Sequence, residues 1–243
     1  MVRDGVFNTK LPVTGSHEGS GTVVGVGSAV ENFQIGDRVM AGIAYHPCGT
    51  CVDCQSEKNA QYCEQLGGHL GVTTDGFFAE YARIDATTAA KLPDQVSFKT
   101  AAPMACAGST VWRAVLQTGL KRGEWLALVG SGGGLGHLGI QFAKALGLKV
   151  VGIDARDEGL ELTKEAGADV VVDVRKGQAQ VVEEVQKITD GKGVDATVNL
   201  SDAQSAAATA CAVTKMHGLV VQVAQVRVPA TPYHSPTNER GKN

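Results

Sequence analysis

The sequence lacks the long apolar run that a membrane-spanning helix requires. A span takes about 20 consecutive apolar residues, and no stretch of the 243 residues approaches that length. The opening MVRDGVFNTK has no apolar core of the kind found in secretory signals. Basic residues are scattered and number 22 against 25 acidic ones, which argues against a nucleic-acid-binding patch. We therefore predict a cytoplasmic protein whose partners include neither membranes nor nucleic acids.

Cysteine is also scarce, but four of the six cysteines lie together in CGTCVDCQSEKNAQYC. In a reducing compartment, clustered cysteines bind metal more often than they form disulfides. Two-residue gaps allow a tight loop to wrap its thiolates around a tetrahedral ion, and four thiolates leave no open coordination position. The predicted ligands of a structural zinc ion are Cys48, Cys51, Cys54 and Cys63. The alternative is a set of unrelated thiols.

The two halves of the chain have different patterns. Residues 1 to about 92 are rich in glycine, valine and turn signals, which is typical of a small, irregular β-barrel with strands in GTVVGV, DRVMAGIAY and GFFAEYARI, and the first domain is predicted to span 1–106. From about residue 123, apolar strand-like runs alternate with helical ones, which predicts a parallel sheet covered on both faces in a second domain that spans 107–243. The predicted helices cover 135–146, 158–167, 179–190 and 203–213. TAAPMACAGSTVWRAVLQTG predicts a further helix that bridges the halves. The predicted fold class is α/β with a β-rich domain.

A glycine cluster lies between a predicted strand and an amphipathic helix in LALVGSGGGLGHLGIQFAKALG. Glycines let the backbone turn sharply and approach a pyrophosphate at a helix N-terminus. The next strand ends in Asp154, where an acidic residue would bind the ribose hydroxyls of NAD and repel the 2′-phosphate of NADP. Arg156 lies close enough to soften that preference. The alternative is a turn that needs glycine only for packing.

Two further features carry possible metal ligands. TGSHEGSG contains a His-Glu pair, of which His17 is a zinc-type ligand and Glu18 a ligand or a supporting group. The alternative for this pair is an ordinary polar turn. Cys106, in PMACAGST, lies in an apolar helical pattern, where the alternative is a small core residue.

Together these segments resemble the zinc-containing medium-chain alcohol dehydrogenases, particularly the fungal and yeast-like branch. The matching pieces, in family order, are KLPVTGSHEGSGTVVGVG, IGDRV, the four-cysteine segment, PMACAGSTVWRAV, GSGGGLG and GIDA, within the stretch from Lys10 to Gln225. The resemblance implies a GroES-like catalytic domain with a zinc lobe at 48–63, beside a doubly wound Rossmann domain. It also implies interconversion of small alcohols and carbonyl compounds with Zn²⁺ and NAD, in a dimer or tetramer of identical chains.

The resemblance assigns roles to individual residues. The catalytic-zinc set is His17, Glu18 and Cys106, and the structural-zinc set is the four clustered cysteines. The cofactor contacts that it assigns are Gly133, Gly134, Leu135 and Asp154, with Val223 and Gln225 on the strand beside the nicotinamide. The other glycines of the loop, Gly130, Gly132 and Gly136, are predicted to bind the cofactor with them.

The sequence departs from the family pattern in several places. The family's first zinc-ligand cysteine and its proton relay precede the region that aligns with Met1, and the tail VRVPATPYHSPTNERGKN is unlike the family. The gap between Cys54 and Cys63 is one residue longer than usual, and Gly159 stands where a lysine near the ribose is common. We therefore expect the chain as given, a shortened gene product on this interpretation, to oxidise simple alcohols slowly or not at all.

Two alternatives to an active dehydrogenase remain at this stage. One is a non-catalytic remnant that keeps the structural zinc and NAD binding. The other is a zinc-free reductase of the same superfamily, acting on quinones or enoyl compounds or in secondary metabolism. Metal content separates them, since two zinc ions per chain favour the dehydrogenase, one favours the remnant and none favours the reductase.

Overall fold

The computed structural model describes residues 7–56 and 59–225, which divide into two compact units between Val111 and Trp112. The predicted boundary after residue 106 falls a few residues earlier, within the same continuous helical segment. The expectations for the tail after Gln225 lie outside the described residues. Among the helices that are described, none combines the length and the apolar character needed to cross a bilayer.

Within residues 7–56 and 59–111, the first unit contains two small antiparallel sheets. The three-stranded sheet has the order β1-β2-β5 and comprises β1 (Gly19–Thr22), β2 (Arg38–Ala41) and β5 (Ala89–Lys91). The two-stranded sheet pairs β3 (Ala44–Tyr45) with β4 (Gly68–His69). The helical elements are α1 (Val52–Gln55), a 3₁₀ turn (Ala60–Tyr62), α2 (Phe98–Pro103), a π-helical turn (Met104–Gly108) and α3 (Ser109–Gln117), which runs into the second unit.

Strands in the first unit are shorter than the sequence predicts. GFFAEYARI forms bends, although its apolar residues alternate, and Phe78 and Tyr81 are 82% and 75% exposed. Its backbone amides at Gly76, Phe77 and Phe78 donate to the carbonyls of Thr14, Ser16 and Gly15, and these three bonds at one end of the segment do not make a ladder. A β-strand requires a neighbouring strand that hydrogen-bonds to its backbone along its length. Alternation of apolar and polar residues does not supply that neighbour.

Side chains tie the helical segment of the first unit to its three-stranded sheet. The Arg38 guanidinium donates to the carbonyl of Val96 at 2.7 Å, just before α2. The Ser20 hydroxyl donates to the Phe98 carbonyl at 2.7 Å, and the Ser97 hydroxyl caps α2 by accepting from the Thr100 amide. These contacts hold α2 and the π-turn that follows it against β1 and β2.

In its described residues, which end at Gln225, the second unit is built on a five-stranded parallel sheet in the order β10-β9-β6-β7-β8. Its strands are β6 (Trp125–Val129), β7 (Lys149–Asp154), β8 (Val170–Asp173), β9 (Val194–Asn199) and β10 (Thr214–Gln222). The crossover helices are α4 (Gly134–Ala145), α5 (Asp157–Glu165), α6 (Gln178–Ile188) and α7 (Ala206–Val213). The predicted α/β alternation is confirmed, and α7 begins three residues later than the predicted 203.

The strand order explains where a ligand could bind in this unit. Central strand residues such as Leu126, Ala127 and Leu128 are fully buried, because helices cover both faces of a parallel sheet. The chain proceeds from β6 to β7 on one side and later returns to place β9 on the other side of β6. Loops diverge at such a reversal and leave a crevice at the carboxyl ends of the strands.

Candidate functional site

The four thiols of the cysteine-rich segment converge in the first unit. The sulfur atoms of Cys48, Cys51, Cys54 and Cys63 all lie within 4.8 Å of one another. The Cys48 and Cys54 sulfurs are 3.9 Å apart. Four sulfurs at about 2.3 Å from a tetrahedral zinc ion would be about 3.8 Å from each other. The cluster therefore has the dimensions of a closed tetrathiolate site.

Hydrogen bonds to sulfur support thiolate character in this cluster. The Cys48 sulfur accepts from the amides of Thr50 and Cys51 at 3.4 and 3.3 Å. The Thr50 hydroxyl, followed by these amides, lowers the pKa of the Cys48 thiol to about 6. Burial raises the pKa of Cys54 to about 12. One thiolate therefore forms readily while its neighbour resists ionisation, and a bound cation would remove that resistance.

A buried carboxylate fixes the backbone where it enters the cluster. Asp85 accepts from the His46 amide at 3.1 Å and lies 3.2 Å from the His46 ring nitrogen Nδ1. Burial opposes ionisation of Asp85, but hydrogen bonds from Thr87 and the His46 amide outweigh it and lower the pKa of this carboxyl. This contact positions the residues that immediately precede Cys48.

A second group of metal-ligating side chains lies in the same unit. The ligand atoms of His17, Glu18 and Cys106 lie within 4.8 Å of one another, and all three residues are half-buried. His17 and Glu18 immediately precede β1, whereas Cys106 lies in the π-turn. Three protein ligands leave a coordination position open, unlike the four-cysteine cluster.

The π-turn directs Cys106 and its neighbours toward Glu18. The Ala107 amide donates to Glu18 Oε1 at 3.0 Å, which joins the turn to the start of β1. Pro103, which has no amide hydrogen, precedes the turn. Burial raises the pKa of the Cys106 thiol, and the negative charge of Glu18 raises it further. A cation between these groups would reverse both effects.

Two glycines determine how the backbone packs beside His17. A Cβ on Gly76 would lie 1.9 Å from the Ser16 carbonyl oxygen, and a Cβ on Gly71 would lie 2.1 Å from the same atom. Gly71 also has a φ of +73°. Both positions therefore require glycine, and together they position the residue just before His17.

The glycine loop of the second unit follows β6 and leads into α4. Gly130, at φ +83°, makes the turn at the end of β6. A Cβ on Gly136 would lie 2.3 Å from the Gly130 carbonyl oxygen, and one on Gly132 would lie 2.0 Å from the Gly159 carbonyl oxygen. The N-cap of α4 is Gly133, which has no side chain to accept from the first amides of the helix. These amides are therefore available to an anion.

Two helical glycines in this segment predict opposite responses to substitution. Gly136→Ala should lower the free energy of unfolding by at least about 2 kcal/mol, because the new methyl group meets backbone atoms that cannot move aside. Gly134→Ala should change it by no more than about 1 kcal/mol, since a Cβ there meets nothing within 4 Å. Urea denaturation followed by circular dichroism measures both. Equal effects of the two substitutions would contradict this account of the loop.

Asp154 ends β7 beside the glycine loop. Its Oδ2 accepts from the Gly132 amide at 2.9 Å, and its Oδ1 accepts from the Ala155 amide at 2.8 Å. Burial opposes ionisation of this carboxyl, but the amides of Gly132, Arg156 and Ala155 and the Arg156 side chain lower its pKa. Asp154 is therefore an ionised group that also holds the loop in place.

A cavity of about 340 Å³ lies at the carboxyl ends of the central strands. Its walls include Gly130, Gly133, Asp154, Arg156, Ser201 and Asp202. The volume falls within the range of small-molecule sites, which starts at about 300 Å³. Its position at the strand reversal and beside the uncapped start of α4 is suited to a phosphorylated nucleotide.

The remaining predicted cofactor residues occupy different positions. Gly134 and Leu135 begin α4, and Val223 and Gln225 follow β10 at the carboxyl edge of the sheet, but none of the four lines the described cavity. The Val223 amide donates to the Asn199 carbonyl at 3.0 Å. The loop after β9, with Ser201 and Asp202, also lines the cavity and is not among the residues predicted from the sequence. Its position after a predicted parallel strand was the available signal.

Comparison with known sequences identifies the family. An alcohol dehydrogenase GroES-like domain matches residues 1–94, and a zinc-binding dehydrogenase domain matches residues 134–238. An alcohol dehydrogenase of Schizosaccharomyces pombe is 41% identical over 195 residues, which cover 79% of this chain and 54% of that relative. The chain belongs to the zinc-type medium-chain alcohol dehydrogenase family. The family resemblance found in the sequence is thereby confirmed.

Solved structures of dehydrogenases share this fold. The alcohol dehydrogenase of the archaeon Aeropyrum pernix is 33% identical with a TM-score of 0.78, and the match covers 92% of this chain and 66% of that one. A structure described as an NAD-dependent alcohol dehydrogenase is 29% identical with a TM-score of 0.83, and that match covers 91% of this chain and 64% of the other. The predicted fold class, a GroES-like domain with a Rossmann-type parallel sheet, is confirmed. The chain spans about half the length of the curated relatives it matches.

Proposed function

We propose that this chain carries the metal and nucleotide sites of an alcohol dehydrogenase that interconverts small alcohols and carbonyl compounds with NAD. The observation that carries the proposal is the convergence of His17, Glu18 and Cys106, three ligand types that leave one coordination position open. Family membership supports the substrate class and an assembly of two or four identical chains.

The four-cysteine cluster fits a structural zinc ion. The donors are soft sulfur atoms, their separation suits a tetrahedral ion, and amides already donate to the Cys48 sulfur. Cys48, Cys51, Cys54 and Cys63 would hold the ion, and its role would be to stabilise this segment of the first unit.

The second cluster fits a zinc ion with a different role. His17, Glu18 and Cys106 would hold it, with Glu18 also fixed by the Ala107 amide. A zinc ion bound there supplies a Lewis acid that lowers the pKa of an alcohol. The contribution of the chain is to keep an imidazole, a carboxylate and a thiol in one half-buried group, so that one position remains for the substrate oxygen.

The cavity of the second unit fits the adenosine end of a nicotinamide dinucleotide. Gly130 and Gly133 line it without side chains, and the first amides of α4 offer donors to a pyrophosphate. The ionised Asp154 carboxylate would accept hydrogen bonds from the ribose hydroxyls of such a nucleotide, which would favour NAD. When bound, NAD supplies the hydride acceptor.

Zinc content and NADH binding test the proposal without depending on turnover. The purified chain should contain two zinc ions by elemental analysis, one for each cluster, and should bind NADH, followed by nicotinamide fluorescence. One zinc ion with NADH bound would favour the non-catalytic remnant instead. A chain that binds NADH but no zinc would favour the zinc-free reductase.

A further inference from the structure

An open groove of about 690 Å³ lies in the first unit. It is lined by β1 with the residues that follow this strand, and by the segment 77–84. Val24 in the lining is 64% exposed, and Phe78 and Tyr81 are more exposed still. The groove therefore presents large apolar side chains to solvent, which is unusual for a surface without a partner.

One side of the groove is an unpaired strand edge. The order β1-β2-β5 makes β1 an edge strand of its sheet. In an antiparallel pair, the backbone groups of alternate residues point toward the partner strand and away from it. The Val23 amide donates to the Asp37 carbonyl at 2.9 Å, so the backbone groups of Ser20 and Thr22 point away from β2. Both residues line the groove.

Residues 79–84 are unpaired along their backbone as well. Among the described residues, no backbone group bonds to the amides or carbonyls of these six, and the preceding bond joins the Phe78 amide to the Gly15 carbonyl at 3.1 Å. Residues 78–83 are all exposed. An exposed, unpaired segment that shares a groove with an unpaired strand edge is a template for pairing with another chain.

We propose that residues 79–84 of a second copy of this chain fill the groove, so that two copies associate by exchanging this segment. The incoming segment would pair with β1 on one side and with residues 79–84 of the first copy on the other. Two-fold symmetry makes the exchange reciprocal, and both unpaired segments of each copy gain partners. The inference goes beyond the proposed function and does not rest on it, since it concerns neither zinc nor nucleotide binding.

The charges of the segment suit antiparallel pairing with its own copy. A two-fold axis at Ala82 places Arg83 of one copy opposite Tyr81 of the other, where a guanidinium and an aromatic ring attract each other. Glu80 then lies opposite Ile84, so neither charged residue meets its own copy. One acid and one base per segment leave no net repulsion between the two copies.

The exposed aromatic residues supply much of the area that a stable interface needs. Aromatic side chains bury about 150–250 Å² each. Phe78 and Tyr81 of two copies provide four such rings, whereas stable interfaces bury at least roughly 1,200 Å² in total. The backbone and Val24 add to this area on each side.

A cross-link at the proposed axis tests the arrangement directly. Residues opposite each other in an antiparallel pair have Cα atoms about 4.5–5.5 Å apart, which is within the range of a disulfide. Ala82→Cys, treated with oxidised glutathione, should form a covalent dimer whose disulfide maps by mass spectrometry to position 82 in both copies. Ala29→Cys is the matched control, because Ala29 is exposed in the same unit but does not line the groove, and it should form no such dimer. No cross-link at position 82, or an equal yield from Ala29→Cys, overturns the inference.

Opposite charges at the axis give a second test. Ala82→Glu and Ala82→Lys each place like charges opposite one another, and each should weaken association at least about thirtyfold. Sedimentation equilibrium should then show half the molar mass of the intact chain, with unchanged circular dichroism because Ala82 is exposed. An equimolar mixture of the two variants should regain the mass of the intact chain, and Ala29→Glu should keep it throughout.

Three results of this second test overturn the inference. Charged variants that associate as tightly as the intact chain would place the interface elsewhere. A mixture that stays dissociated would exclude a two-fold axis at Ala82. A monomeric intact chain whose amides at 79–84 resist hydrogen exchange would show that another segment of the same chain fills the groove.

Discussion

Cys51→Ser should remove one of the two zinc ions from the chain and destabilise the first unit. Serine has the shape of cysteine but is a poor zinc ligand, so the cluster would be left with three thiolates. Structural zinc binding contributes about 10–16 kcal/mol in small zinc-dependent peptides, and loss of a ligand forfeits much of it. We expect a fall of at least about 3 kcal/mol in the free energy of unfolding. Elemental analysis and urea denaturation measure the two effects.

Cys211→Ser is the matched control for this substitution, since Cys211 is an exposed thiol outside both metal groups. It should leave zinc content and stability unchanged. Acid should have the same effect as Cys51→Ser, because protons compete with the ion for thiolates, so this zinc is released as the pH falls. If serine at all four cluster positions left the zinc content unchanged, the assignment of this cluster would be wrong.

Cys106→Ser should remove the other zinc ion and leave the four-cysteine cluster occupied. Only two protein ligands, His17 and Glu18, would remain, and two protein ligands bind zinc weakly. Substitution of cobalt for zinc gives a direct measurement, because the sulfur-to-cobalt absorption of this site disappears while that of the other cluster stays. The free energy of unfolding should change little, since this site has an open coordination position and does not hold the chain together. Cobalt absorption unaltered by Cys106→Ser would show that this thiol is a core residue.

The positioning of His17 offers an independent check on the second cluster. Gly76→Ala keeps all three ligands but places a methyl group against the Ser16 carbonyl, where it displaces the backbone before His17. We expect this variant to lose the same zinc ion as Cys106→Ser does. Gly25→Ala is the control, because a Cβ at Gly25 meets nothing within 4 Å. Normal zinc content in Gly76→Ala would mean that the site tolerates movement of His17.

The two metal groups differ in how far the sequence revealed them. Cys48, Cys51 and Cys54 are separated by two residues each, so their convergence is a local property that spacing predicts. Glu18 and the Ala107 amide that holds it are 89 residues apart. No periodicity connects such positions, and the pairing of His17 and Glu18 with Cys106 came from family resemblance alone.

The nucleotide site shows the same division. The glycine loop and Asp154 are consecutive parts of a strand-turn-helix-strand pattern, so they could be predicted. The close contacts of Gly159 and Arg156 with the Asp154 carboxylate could not, because they depend on a few ångströms between α5 and the end of β7. The sequence predicted Asp154 only as a ribose contact. The structure adds that this buried carboxylate also accepts from the Gly132 amide and so anchors the glycine loop.

The sequence by itself determined the α/β alternation, the closed cysteine cluster and the place of the glycine loop, because each depends on residues near one another in the chain. Only the tertiary structure decided the rest. It places Cys106 beside His17 and Glu18, and it packs Gly71 and Gly76 closely against the Ser16 carbonyl. It also shows that GFFAEYARI forms bends. The physical reason is that hydrogen-bond partners and close backbone contacts between distant segments arise from packing. Local composition and periodicity do not record that packing.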